Sequence, residues 1–250
     1  MHEHQMTQFN HGRMVRFLKV LILIALVSLL AQPVLAKEHD PGVAPPDSTP
    51  YGRTYADWTA EWWRYVLSFP ATTNPLNDST GANCAVGQSG PVFFLVGTTG
   101  GKAVRNQCVV PAGKSIFFPI INFMCAAPED GPAAADIQGL CSWAADLVDD
   151  VQVTVDAVPL QDLLADYRFP SPIFSMTGAV DNPYDTWCTG RPAGECYEGF
   201  HDTTFSDGWW VLLDPLPPGE HKIHITGHLY DPDSGWEFGV NTTYHLKVAD

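Results

Sequence analysis

Hydrophobic and polar positions alternate most regularly near the C-terminus. There Ile223, Ile225 and Leu229 are interleaved with Lys222, His224, Thr226 and His228, and Tyr244, Leu246 and Val248 with Thr243, His245 and Lys247. Period-two spacing of this kind belongs to strands with one buried face. Aligning the apolar faces sets Ile223 opposite Leu246 and Ile225 opposite Tyr244, which brings His224 opposite His245, Thr226 opposite Thr243 and His228 opposite Asn241. Trp209 to Leu213 precedes them as a short apolar strand, and Asp214-Pro215-Leu216-Pro217-Pro218-Gly219 supplies a turn. Residues 208–248 therefore read as three antiparallel strands.

Upstream, Tyr55, Trp58, Trp62, Tyr65, Val66 and Phe69 recur at helical spacing, with Thr54 as N-cap, Asp57 at the third helical position and Pro70 as the stop. The three tryptophans at 58, 62 and 63 read as core side chains, with an aromatic platform for sugars as the alternative. Residues 92–96, 103–110 and 115–122 read as strands of one sheet, the first two joined by a hairpin through 97–101. A helical stripe over 136–149 includes Ile137, Leu140, Cys141, Ala144, Leu147 and Val148, and a half-buried strand over 151–155 follows it. A helical turn at 161–167 and a strand near 173–176 complete the pattern, and 182–206 is the longest stretch with none. The fold class this predicts is mainly β: an antiparallel β-sandwich, immunoglobulin-like or jelly-roll-like, with two or three short helices packed on it.

The first 36 residues do not belong to that fold. Arg13, Arg16 and Lys19 precede an apolar run from Val20 to Ala31, and Val34-Leu35-Ala36 offers small residues for signal peptidase. The run is too short for a spanning helix of about 20 residues. The expected division is a signal peptide over 1–36, starting at Met1 or Met14, an extended leader over 37–52 and one disulfide-stabilised domain over 53–250. The expected location is secreted or periplasmic, with no membrane insertion after cleavage. The whole chain carries a formal charge of −15. Residues 1–36 hold three basic side chains and one acidic, so removing their +2 leaves the mature chain at −17. Such a field repels nucleic acid and anionic membranes.

Six cysteines in an exported chain point to disulfides, and the sequential pairing Cys84–Cys108, Cys125–Cys141, Cys188–Cys196 brackets local turns. No CxxC spacing suggests zinc. The motif Gly87-Gln88-Ser89-Gly90 lacks the preceding strand and following helix of a serine-nucleophile turn. Candidate ligand-binding residues are Trp187, Arg191, Tyr197 and His201, in the long irregular stretch. Candidate metal ligands are His224 and His245, if they face each other across the last two strands. No catalytic residue and no cofactor site can be assigned. Glu61, Glu195 and Asp202 are the carboxylates a glycan-active hydrolase would have to draw on. The expected function is a non-catalytic binding or envelope-associated module, its partner a polysaccharide or another envelope component. A secreted glycan-active hydrolase and a divalent-metal-binding protein are the alternatives.

The segments TYADWTAEWWRYVLSFP, CAVGQSGPVFFLVG, CVVPAGKSIFFPIIN and SDGWWVLLDPLPPGEHKIHITG together resemble a group of uncharacterised exported bacterial proteins. The resemblance covers most of the mature chain and implies neither an activity nor a functional residue. PLPPGEHKIHI followed by TTYHLKV is similar to the closing strands of an immunoglobulin-like sandwich, a likeness of fold alone. Mass spectrometry of the exported product should find a chain beginning at Lys37; an uncleaved chain, or a start many residues away, would contradict the signal-peptide assignment.

Overall fold

The structure, a computed structural model, describes residues 42–184 and 196–250. It is mainly β, with two mixed sheets and three α-helices. The strands are β1 (Val92–Phe94), β2 (Gly101–Val110), β3 (Ser115–Ala126), β4 (Val148–Val155), β5 (Val158–Pro159), β6 (Phe174–Gly178), β7 (Gly199–Leu213), β8 (Gly219–Tyr230) and β9 (Glu237–Val248). The helices are α1 (Tyr55–Leu67), α2 (Ala134–Asp146) and α3 (Leu163–Asp166). The first sheet runs β1-β3-β7-β6 and the second β2-β9-β8-β4-β5.

One apolar core takes side chains from both sheets. Ile116, Phe118, Ile121, Val211 and Leu213 come from the first, and Val153, Val155, Ile223, Ile225, Tyr244 and Leu246 from the second. A second cluster lies where α1 packs on the first sheet: Trp58, Trp62 and Trp63 meet Phe117, Met176, Trp210 and Leu212. The three tryptophans are thus core and not an exposed sugar platform. Thr54 caps α1, as the sequence predicts, and Asp57 returns the bond to complete a reciprocal capping box.

Several sequence expectations need correction. The strands at 92–94, 101–110 and 115–126 do not form one antiparallel sheet. β1 pairs with β3 in parallel, β2 pairs in parallel with β9 in the other sheet, and no hairpin joins β1 to β2. β7 likewise lies in a different sheet from β8, so the proline-rich turn at 214–218 is a crossing between sheets. The β8–β9 hairpin keeps the expected buried face but sits two residues out of the expected register. Ile223 faces Tyr244, His224 faces Thr243 and Lys222 faces His245. A slip of two preserves the side-chain faces, so alternation alone could not detect it. β7 begins at Gly199, inside the stretch expected to be irregular, and residues 149–150 belong to β4 and not to the end of a helix. Leu140, expected on the buried stripe of α2, is 41% exposed. The expected leader also departs from plain extension: Val43 bridges to Leu213 and residues 50–52 form a short 3-10 turn.

Cys84–Cys108 and Cys125–Cys141 are disulfides, in the pairing expected. The third expected pair lies outside the described residues at Cys188. Cys125–Cys141 staples α2 to β3, and Arg168 adds a charged clamp. Its guanidinium bonds both carboxylate oxygens of buried Asp207 in β7, at 3.0 and 2.8 Å, and Asp146 of α2 at 2.6 Å.

The connection that separates β1 from β2 is held by a second arginine. Arg105 is 1% exposed. It donates to the carbonyls of Leu76 (3.2 Å), Asp78 (2.8 Å) and Val96, and to Tyr244 Oη (2.7 Å). Tyr244 Oη in turn donates to Val96 O at 2.7 Å. Removing the guanidinium takes the donor from the carbonyls of Leu76 and Asp78 and leaves Val96 O with Tyr244 alone, so Arg105→Met should cost about 3 kcal/mol in urea unfolding. Arg105→Lys should recover little, because one ammonium cannot reproduce the planar fork. A loss below about 1 kcal/mol for both variants would show that the network contributes little net stability.

Candidate functional site

Past Phe117, strand β3 has no paired strand on the side away from β7 among the described residues. β1 pairs with it only at 115–117, and Leu95 N–H adds a last bond to Phe117 O before the chain turns off toward the second sheet. A cleft of about 250 Å³ opens along this unpaired edge, lined by 119–125 of β3. Trp62 and Trp63 of α1 form one wall, Phe238 and Val240 of β9 the other, with Thr98 and Thr99 from the departing connection between them. Leu140 and Ala144 of α2, together with Trp236, line it as well. Trp143 and Trp236 are exposed and stacked, their ring centroids 6.0 Å apart with 17° between planes.

The polar groups of the cleft are few. Asp130 Oδ2 accepts from Ala126 N–H and from Tyr197 Oη, both at 2.8 Å. Burial, reinforced by Asp130, pushes the Tyr197 phenol well above the ordinary tyrosine range, so it stays protonated as a donor. Burial raises Tyr184, which also lines the cleft, in the same direction. Behind Tyr197 lies His201, ring centroids 6.3 Å apart, with Nε2 3.0 Å from Glu129 Oε1 and Nδ1 3.3 Å from Gly199 O. Three further lining residues carry buried donors with no partner among the described residues: Trp63 Nε1, Thr98 Oγ1 and Asn122 Nδ2.

Of the four candidate ligand-binding residues, Tyr197 lines the cleft and His201 supports it from behind, while Trp187 and Arg191 lie outside the described residues. The candidate metal pair is not brought face to face, because of the two-residue register difference. His224 Nε2 instead sits 3.2 Å from Asn241 Oδ1, and His245 faces Lys222. Among the described residues no group of three or more His, Cys, Asp or Glu side chains could hold a metal ion. Glu61 pairs with Arg53 and Arg64 on the outer side of α1, and Asp202 is exposed beside Thr203. Glu195 lies outside the described residues. Asp231-Pro232-Asp233-Ser234-Gly235 is a self-bonded turn, with Asp231 accepting from Asp233 N–H and Ser234 Oγ. Sequence reasoning missed Asp130, Glu129 and the Trp143–Trp236 pair. The signal for that pair is faint: Trp143 is a large aromatic off the buried stripe of its helix, and Trp236 sits beside a turn. Compared with known proteins, the chain matches no family model, no curated protein and no solved structure.

The outer face of the second sheet carries one strongly placed imidazole. His228 Nδ1 lies 2.6 Å from Asp149 Oδ1 and Nε2 3.1 Å from Glu237 Oε1. With the carboxylates on opposite ring nitrogens they do not converge on one ion, so the arrangement suits a proton-holding bridge. These bonds raise the pKa of His228 above the ordinary 6.5, Asp149 contributing most. A raised histidine stabilises the fold fully below the unfolded value, and that contribution fades as pH rises from there through the folded value. NMR titration should find His228 above 6.5 and Asp149→Asn should bring it down; an unshifted midpoint in the wild type would show the bridge is not formed in solution.

Proposed function

We propose that the chain is an exported, non-catalytic β-sandwich serving as a binding or envelope-associated module, and that its ligand sits in the cleft along β3. The observation that carries this is the make-up of the cleft: apolar walls drawn from α1, β3, α2 and β9, a few buried donors, and a stacked tryptophan pair exposed beside Leu140. Concave, mostly apolar sites with a small number of polar groups are the usual form of ligand sites. Two disulfides, and the lack among the described residues of any helix long and apolar enough to cross a membrane, fit an extracellular setting. The secreted or periplasmic location itself rests on the character of residues 1–36. The immunoglobulin-like analogy draws support from the closing β8–β9 hairpin and from a core shared by two sheets. The partner is a polysaccharide or another envelope component, and the acidity of the chain counts against nucleic acid.

The glycan-hydrolase reading draws less support. Such enzymes use two carboxyl groups about 5 to 9.5 Å apart, and Asp130 is the only carboxylate among the described residues of the cleft wall, already engaged by Tyr197 and Ala126. The metal-binding reading loses its geometric motive with the register of β8 and β9. A neutral fluorescent probe tests the cleft directly. N-phenyl-1-naphthylamine should brighten on binding the mature protein, and Leu140→Glu should weaken that binding about tenfold by placing a charge beside the apolar walls. Val180→Glu, at an exposed site that does not line the cleft, should leave it unchanged. Absence of binding, or binding indifferent to Leu140→Glu, would sink the assignment.

A further inference from the structure

We propose that the cleft receives an extended, apolar peptide segment of a partner protein, which adds as a strand to the open edge of β3. This deepens the binding-module reading and rests on it. The backbone provides the first argument. Ala127 N–H donates to Thr203 O in β7, whereas Ala126 N–H turns away to Asp130. From 122 to 126 the pairing with β7 is regular, so alternation turns the backbone groups of Asn122 and Met124 away from β7 as well. The far side of β7 agrees: the carbonyls of Gly208 and Ser206, opposite Asn122 and Met124, bond to Phe169 and Ser171 and not to β3. No strand among the described residues pairs with Asn122 or Met124 on the cleft side. Their N–H and C=O groups are spaced as a ladder for one more strand.

The walls say what side chains that strand would carry. Successive residues of an added strand point alternately toward Trp62 and Trp63 on one side and Phe238 and Val240 on the other. Both sides are apolar, so the segment that fits is a short run of consecutive apolar residues and not an alternating one. Asn122 Nδ2, Thr98 Oγ1 and Trp63 Nε1, the lining donors without partners, suit a chain that brings backbone carbonyls. Pro119, at the start of the open stretch, has no N–H to offer and fits an edge position.

An array of capped hexapeptides composed of Val, Leu, Phe and Thr, flanked by Ser, is probed with the mature protein, and the tightest member is resynthesised with alternate amides N-methylated in each of the two phases. One phase aims its methyl groups at β3 and should bind at least about tenfold more weakly, while the other should bind as the parent does. Leu140→Glu should weaken the parent peptide, and the peptide should displace N-phenyl-1-naphthylamine. If the dye enters the cleft but no peptide binds, or both methylated phases bind alike, strand addition is overturned and the cleft remains a site for small molecules. If neither dye nor peptide binds, the binding-module reading falls with it.

Discussion

Arg105 is the side chain on which the connection between the two sheets depends. A buried guanidinium is costly unless its donors are satisfied, and here the acceptors are carbonyls from two separate stretches, 76–78 and Val96, together with the hydroxyl of Tyr244. Among the described residues no carboxylate forms an ion pair with it, so the guanidinium works as a fork that gathers backbone. Tyr244 belongs to β9 and Arg105 to β2, whose parallel pairing places the two directly opposite each other. Their joint hold on Val96 takes the chain off β3 one residue after the last bond, Leu95 N–H to Phe117 O, and the chain goes on into the other sheet. A hairpin between β1 and β2 would have needed Val96 to stay with its own sheet. The open edge of β3 is therefore a by-product of satisfying one buried cation.

The rest of the molecule builds walls around that edge. The indole of Trp62 donates to Leu95 O at 2.9 Å, which fixes α1 against the last residue of the chain still bonded to β3. Trp62 also meets Trp63 and Trp210 edge to face, at 5.0 and 5.3 Å, and such contacts restrict the rings more than area burial alone. On the other flank α2 is held twice, by Cys125–Cys141 and by Arg168 bridging Asp146 to Asp207. The two fastenings act on different turns of the helix: Ala144 lies between them and Leu140 directly precedes the disulfide, so both are held at the cleft.

What could be read in the sequence divides by the range of the interaction. Local signals held: the N-cap at Thr54, the helical stripe of α1, the alternation of β8 and β9, and two cysteine pairs at short separation. The first three depend on neighbours within one or two turns or on a pattern with a known period, and the cysteines pair with the next cysteine along the chain. Topology did not follow from them, because Gly97 to Gly101 has the composition of a hairpin loop while its path is set by Arg105 and Tyr244, far along the chain. The N-terminal half of β7 was hidden for a related reason. His201, Ser206 and Asp207 are buried polar residues held by groups on other elements: Glu129 for His201, Ser171 for Ser206, and Ser142 and Arg168 for Asp207. A hydrophobicity pattern cannot tell a satisfied polar strand from a loop. The cleft was illegible for the same cause, since its lining comes from segments scattered between α1 and β9.

An unpaired strand edge lined by apolar walls is ordinarily a hazard, and proteins blunt such edges with charge, proline, bulges or a covering element. β3 uses two of these devices sparingly: Pro119 removes one donor, and the bulge between Pro119 and Ile121 bends the strand where the open stretch begins. Beyond the bulge no charged side chain of β3 interrupts the edge, since Asn122, Phe123, Met124 and Cys125 are all neutral. Protection comes instead from depth, with Trp62 and Trp63 on one side and Phe238 and Val240 on the other narrowing the approach. The high negative charge expected of the mature protein acts at longer range, setting copies of the chain against one another. Among the described residues the edge is thus guarded by the shape of its walls, with net charge acting at longer range, and not by its own side chains.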